Sequence, residues 1–285
     1  ETFRAMAASI DAAIHHVNAL YYQTSWDEYT APFYEALERA VARGVTVRLL
    51  VDHHGMRTIP GHRDFRRRLN AMGIEWHEML PFAPLRGQIR RPDLRNHRKI
   101  LVIDGREAYI GSHNLVAPDY DTPSYAKAGL LYDDTSVSVT GPVVAQIQAV
   151  FAVDWYYACK QVLTPDVLTP PAAEVAAERE GEQASAMQII PSGPAFKGEP
   201  NLRVFIHMIS SARTHVSITS PYFIPDEALM TALTNAALSG VEVELFVSEQ
   251  FDQFLVGHAQ RSYYGPLLKA GVRIHLYRKP RMLHS

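Results

Sequence analysis

Apolar positions along the chain switch repeatedly between two periods. In Ala36–Asp52, ALERAVARGVTVRLLVD, they recur at helical spacing up to Gly44 and then alternate as Val45, Val47 and Leu49. The first period predicts an amphipathic helix and the second a strand. Glycine stands just past the helix because it accepts the left-handed backbone. Ala232–Glu249, ALTNAALSGVEVELFVSE, repeats the pattern around Gly240. Phe65–His77 and Tyr264–His275 form a second matching pair, broken at Gly73 and Gly271. Upstream, Ile10–Tyr22 and Ile206–Tyr222 each predict a helix followed by a strand that carries tyrosine. His15 and His16 fall on the helical part of the first, His15 four residues after Asp11, and read as a surface pair.

Each half therefore predicts strand–helix–strand–helix–strand. That is the α/β signature, with a mostly parallel mixed sheet flanked by helices. Two such halves predict a pseudo-twofold molecule with its site at the seam. The expected boundaries are 1–163 for the first half, 164–186 for a linker and 187–285 for the second half. The linker TPDVLTPPAAEVAAEREGEQASA is rich in Pro, Ala and Glu and has no apolar period.

Composition narrows the function. The 285 residues are 47% hydrophobic and 20% charged, which is a globular balance. The net charge of -2 makes the chain no polycation, so attraction to phosphate has to come from local clustering. One such cluster is Leu85–Lys99, with Arg86, Arg90, Arg91, Arg95, Arg98 and Lys99 against Asp93 alone; it reads as a solvated loop or as a lead-in for an anionic lipid. The single cysteine, Cys159, lies in an apolar stretch and is expected to be a small buried thiol, with no disulfide. No apolar run reaches membrane-spanning length, and neither a membrane span nor a signal peptide is expected within these residues. Glu1 is not a start methionine, so the chain is expected to be trimmed at its front.

The stretch that carries chemistry is Leu94–Leu115, LRNHRKILVIDGREAYIGSHNL. Ile100–Ile103 reads as a strand, Asp104-Gly105 as a tight turn and Ala108–Gly111 as the returning strand, so a β-hairpin is predicted. Alternation along an extended chain puts His97 and Lys99 on one face and Arg98 on the other. An imidazole beside an ammonium suits an anionic substrate: the first attacks phosphorus or moves a proton, and the second binds phosphoryl oxygens. Ser112 and Asn114, past the hairpin, are expected to supply neutral donors to the same point.

The pattern H-x-K-x4-D followed by G-S-x-N, met by His97, Lys99, Asp104, Gly111, Ser112 and Asn114, resembles the phospholipase D signature. The segments DLRNHRKILVIDG, GPVVAQIQAVFAVDW, IIPSGP, SPYFIPDEAL and RSYYGPLLKAGVRI are similar to bacterial cardiolipin synthases in particular. Members of the superfamily carry two such motifs, one per half. The chain ends RMLHS, and His284 stands where the second motif would begin, so the resemblance implies that this motif runs beyond Ser285 and that the fragment alone is inactive.

What the resemblance implies is phosphatidyl transfer between two phosphatidylglycerol molecules, giving cardiolipin and glycerol through a phosphohistidine. His97 is the expected nucleophile and His284 the acid. Asp104 is expected to orient or charge-balance neighbours rather than touch phosphorus. No cofactor or metal is implied, and metal-ligand spacings such as H-E-x-x-H are absent from the 13 histidines. The implied partners are an anionic phospholipid and a membrane surface, not nucleic acid; the oligomeric state is left open. The implied location is the bacterial cell membrane, through an anchor outside these residues, with this segment soluble or peripheral. The alternative is another phospholipase D-type reaction, hydrolysis or phosphatidylserine synthesis.

Other positions are read from the residues alone. Tyr222 and Phe223 follow a strand and pack either on substrate or in the core. Arg261, ahead of two tyrosines on a helix, meets either phosphate or a structural carboxylate. His53 and His54 follow the strand 47–51 and line a pocket or belong to a polar turn, Asp52 to Gly55, the turn being favoured.

Overall fold

The structure, a computed structural model, describes residues 1–82, 94–120, 127, 129–164, 185–193, 196, 198–251 and 254–284. Arg86, Arg90, Arg91 and nearly all of the expected linker lie outside the described residues. The chain divides into two units: residues 1–121 with 136–189, and residues 122–135 with 190–285. The short excursion 122–135 thus belongs with the second unit, which the repeat pattern did not indicate.

The first unit holds a six-stranded sheet in the order β3-β2-β1-β4-β5-β7. Its strands are β1 (His16–Tyr21), β2 (Thr46–Asp52), β3 (Glu75–Met79), β4 (Ile100–Ile103), β5 (Glu107–Gly111) and β7 (Ser136–Thr140). β1, β2 and β3 run parallel; β4, β5 and β7 add antiparallel neighbours, so the sheet is mixed. Between them run helices α1 (Thr2–Asp11), α2 (Ala31–Ala42), α3 (His53–Thr58) and α4 (His62–Ala71). α5 (Val143–Cys159) follows β7.

One face of the sheet packs on α1, α2 and α4 through Ile10, Phe33, Leu37, Leu69, Leu49 and Leu101. The other packs on α5 through Leu20, Leu50, Val102, Ile147, Phe151 and Trp155. Each large buried side chain contributes roughly 1.5–3 kcal/mol by leaving water. Every residue of β1 is buried. A strand covered on both faces has no polar alternation, and that accounts for a correction: His16 is the first residue of β1, 4% exposed, and not a helix-surface residue. Cys159 is half-buried and donates to the Trp155 carbonyl at 3.3 Å.

The second unit contains a three-stranded parallel sheet, order β10-β9-β8, formed by β8 (His215–Thr219), β9 (Glu242–Ser248) and β10 (Arg273–Tyr277). α6 (Pro200–Ser211), α7 (Glu227–Leu238) and α9 (Tyr264–Ala270) pack on it through Ile209, Leu233 and Leu267. α8 (Phe254–Ser262) precedes α9. β6 (Leu131–Asp133) pairs in parallel with β11 (Arg281–Leu283), which is why 122–135 belongs here. The two sheets repeat one another in register. Arg48 stands opposite Glu75 in the first, and Glu244 opposite Arg273 in the second, so the ion pair recurs with its signs exchanged. No described helix is long and apolar enough to cross a membrane.

Candidate active site

The hairpin forms as expected, β4 against β5, with φ of 51° at Asp104 and 65° at Gly105 in the connection. Asp and Gly tolerate that left-handed conformation best. β4 itself begins at Ile100, so His97–Lys99 precede it outside the ladder. The alternation still holds. His97 stacks on Tyr22, centroids 3.8 Å apart and planes at 21°, and the Lys99 ammonium stands 5.6 Å from the same ring centroid. Lys99 is 8% exposed and donates to the His97 carbonyl at 2.6 Å. Arg98 turns the other way and pairs with Asp154 of α5 at 2.8 Å.

A polar network beneath holds this approach. Asn96 donates its amide to Asp154 at 2.9 Å, and its backbone N–H donates to Asp52 at 3.1 Å. Asp52 also caps α3, accepting from the N–H groups of His54 and Gly55. Arg95 lies 3.6 Å from Asp52 and donates to the Leu80 carbonyl. The described basic residues of the expected lead-in, Arg95, Arg98 and Lys99, are thus engaged with the protein itself. Burial raises the Asp154 carboxyl above its ordinary range even though Arg98 and Asn96 act to lower it. The polar turn favoured for Asp52 to Gly55 is the start of α3, and His53 is buried with its Nδ1 on Glu78, which Arg66 also meets at 3.2 Å.

Asp104 serves the opposite end of the strand. Its carboxylate accepts from the backbone N–H groups of Ile14, His15 and His16 at 2.8, 2.8 and 2.7 Å. Six residues lie between it and His97, four of them in β4, so the two are about 20 Å apart along the chain. It therefore seats the start of β1 and does not orient His97 or Lys99 directly. His16 beside it meets Gln148 of α5 at 3.1 Å, and burial lowers its pKa.

Asn114 also differs from the expectation of a donor at the site. It is 1% exposed; its Oδ1 accepts from the Gln23 N–H at 3.1 Å and its Nδ2 donates to the Tyr120 hydroxyl at 3.0 Å. Ser112, half-buried, ends the hairpin two residues before it.

In the second unit His284 follows β11, half-buried. Its Nδ1 is 2.6 Å from the Asp134 carboxylate, and the Tyr132 ring stands edge-on at 5.3 Å. A carboxylate only accepts, so Nδ1 carries a proton and donates it to Asp134. Asp133 next door, the last residue of β6, accepts from the Tyr277 hydroxyl at 2.6 Å and from Arg281 at 2.9 Å, fixing the strand end that Asp134 follows. Sequence reasoning missed Asp134 because it lies 150 positions from its partner; the acidic pair Asp133–Asp134 was the available signal.

Tyr222 lines a mostly apolar cleft of about 610 Å³ with Phe205, Met208, Ile218, Ile224 and Leu229. Phe223 is core, and its N–H donates to Gln260 at 2.7 Å. Arg261 is exposed at the end of α8, its guanidinium 5.3 Å from the Phe251 centroid. Among the described residues, His215, Glu242 and Glu244 come close enough to share a metal ion. Arg273 already bridges both carboxylates and His275 meets Glu244 at 3.0 Å, so the cluster is charge-paired within itself.

Comparison with known proteins gives a consistent result. Residues 6–155 and 205–285 match the domain family described as cardiolipin synthase, PLD-like domain. The chain is 36% identical over its whole length to a cardiolipin synthase of Geobacillus kaustophilus, covering 54% of that protein. It is 33% identical over its whole length to cardiolipin synthase A of Erwinia tasmaniensis, covering 57%. It thus spans about half the length of these relatives. Among solved structures, the phosphatidylserine synthase of Haemophilus influenzae aligns over 99% of this chain and 72% of its own, with a TM-score of 0.65 at 12% identity, which is a likeness of fold. The family match, the identities over the full chain and the motif geometry converge: the chain belongs to the cardiolipin synthase family of phospholipase D-like domains.

Proposed function

We propose that the protein containing this chain transfers a phosphatidyl group between two phosphatidylglycerol molecules at a membrane surface. The observation that carries this is the pairing of His97 with Lys99 on one face of the motif, over the shared Tyr22 ring, in a chain that matches cardiolipin synthases along its whole length.

In the first step an imidazole nitrogen of His97 attacks phosphorus and the P–O bond to glycerol breaks. His284, as the imidazolium with its Nδ1 proton held by Asp134, gives its Nε2 proton to the departing glycerol oxygen. In the second step the hydroxyl of another phosphatidylglycerol attacks the phosphohistidine. Its proton passes to His284, the P–N bond breaks, and cardiolipin leaves. Splitting the displacement lets one residue act first as acid and then as base. The Asp134 carboxylate stabilises the imidazolium form that His284 has before the first step and regains after the second. Lys99 offsets charge on the phosphoryl oxygens, Ser112 offers a hydroxyl to them, and Arg261 contacts a neighbouring phosphate. Tyr222 and its apolar cleft take an acyl chain. Asp104 and Asn114 act on the scaffold.

The test supplies the intact enzyme with phosphatidylglycerol vesicles in the presence of chelator and follows the lipids. Cardiolipin and glycerol should form, and His97→Ala should abolish both. Phosphatidic acid without cardiolipin would move the reaction to hydrolysis.

A further inference from the structure

Tyr22 follows β1 immediately, and three independent elements hold it. On one side α3 presses against it. A Cβ built on Gly55 would stand 2.2 Å from the Tyr22 carbonyl oxygen and 2.8 Å from its ring Cδ2, so only glycine permits this approach. On the other side the next residues are tied to the end of the G-S-x-N segment. The Gln23 N–H donates to Asn114 Oδ1 at 3.1 Å, the Leu115 N–H donates to the Gln23 carbonyl at 3.1 Å, and the Ser25 N–H donates to the Leu115 carbonyl at 2.7 Å. Asp52, the cap of α3, also accepts from the Asn96 N–H directly before His97. The chain on both sides of the ring is thereby fixed to the chain that carries the motif.

The ring then meets both functional side chains of the motif. His97 is exposed, and an exposed imidazole has rotamer freedom to lose before it can attack in line. The Tyr22 face, 3.8 Å away and nearly parallel, sets its plane. The Lys99 ammonium is drawn to the same ring. The phenol stays protonated, because burial and the nearby Asp52 charge raise its pKa. The ring therefore brings no negative charge toward a phosphodiester.

We infer that Tyr22 is the positioning residue for His97 and Lys99, and that Asn114 and Gly55 act on the site through it. This gives the asparagine of the motif a role other than contact with substrate: it sets where the platform stands. The inference rests on the proposal that His97 is a reacting group, but the geometry can be tested without turnover.

The experiment records the ring protons of His97 by NMR in this chain with labelled histidine, the resonances being assigned by their loss in His97→Ala. Stacking on Tyr22 should shift them upfield of the other exposed histidines. Tyr22→Phe should keep the shift. Tyr22→Leu should abolish it, and Gly55→Ala should reduce or abolish it from a different element, with circular dichroism reporting the fold of each variant. In the intact enzyme Tyr22→Leu should lower kcat about 10–100-fold with KM for phosphatidylglycerol within about twofold, and Tyr22→Phe should restore most of it. Unchanged His97 shifts in folded Tyr22→Leu would overturn the inference, as would a loss carried entirely by KM. Absence of turnover in the wild-type enzyme with the NMR result intact would count against the proposed reaction and not against the platform.

Discussion

Arg98 and Asp154 meet at 2.8 Å between the motif and α5, and this pair decides which way the residues on either side of it point. With the guanidinium drawn inward, His97 and Lys99 are turned to the opposite side of the chain. The family signature leaves the middle position of H-x-K open, but here that position anchors the motif. Removing one partner leaves the other charge buried. Asp154→Ala should therefore destabilise the chain by about 3 kcal/mol, measured by urea unfolding, and Arg98→Met/Asp154→Leu together should cost less than the sum of the single changes. Additive losses would show that the two do not interact.

Asp104 should behave as a structural residue. Its carboxylate accepts from three successive N–H groups at the start of β1. Asp104→Asn removes the charge and leaves fewer acceptors, which should cost about 2 kcal/mol of stability. Activity per folded molecule of the intact enzyme should stay within about threefold. A large fall in kcat with unchanged stability would put Asp104 in the chemistry after all.

Stability should also depend on His16. Burial lowers its pKa first, with the Arg48 and His15 charges acting the same way; the Asp104 charge and the Gln148 hydrogen bond act to raise it. The folded state therefore binds fewer protons at this site than the unfolded state. Its favourable form is fully present above the unfolded value of about 6.5, and stability falls as pH drops through 6.5 toward the lowered folded value. His16→Gln should flatten that part of the stability–pH curve. An unchanged slope between about pH 7 and 5 would contradict the assignment.

Asp134 should matter for catalysis more than for folding. It holds the Nδ1 proton of His284, so Asp134→Asn should misdirect the imidazole and lower kcat of the intact enzyme by roughly 10²-fold or more. The His284 resonances should shift in the same variant. Full activity in Asp134→Asn would remove His284 from the acid–base role.

The parts of this architecture legible in the sequence are the local ones. The helix–glycine–strand repeats announce α2–β2, α7–β9 and α9–β10, and Asp104-Gly105 announces the β4–β5 hairpin, because each depends on neighbours in sequence. β1 was misread at its start because burial on both faces erases the alternation that marks a strand. Asp134, Asp154 and Tyr22 were not legible as site residues, since each meets the motif across a long stretch of sequence: Tyr22 and His97 touch only because β1 and β4 are adjacent in the sheet. Asn114 was legible as part of a motif but not in its role, because spacing does not reveal which way a buried amide faces.

The most direct test of the account is to find the covalent intermediate. The intact enzyme is mixed with phosphatidylglycerol vesicles, quenched without acid during turnover, and its histidine peptides are mapped by mass spectrometry. The account predicts a phosphatidyl adduct on His97, absent from His97→Ala and discharged on further incubation with phosphatidylglycerol as cardiolipin appears. An adduct on His284 instead, or cardiolipin formed by His97→Ala, would contradict it.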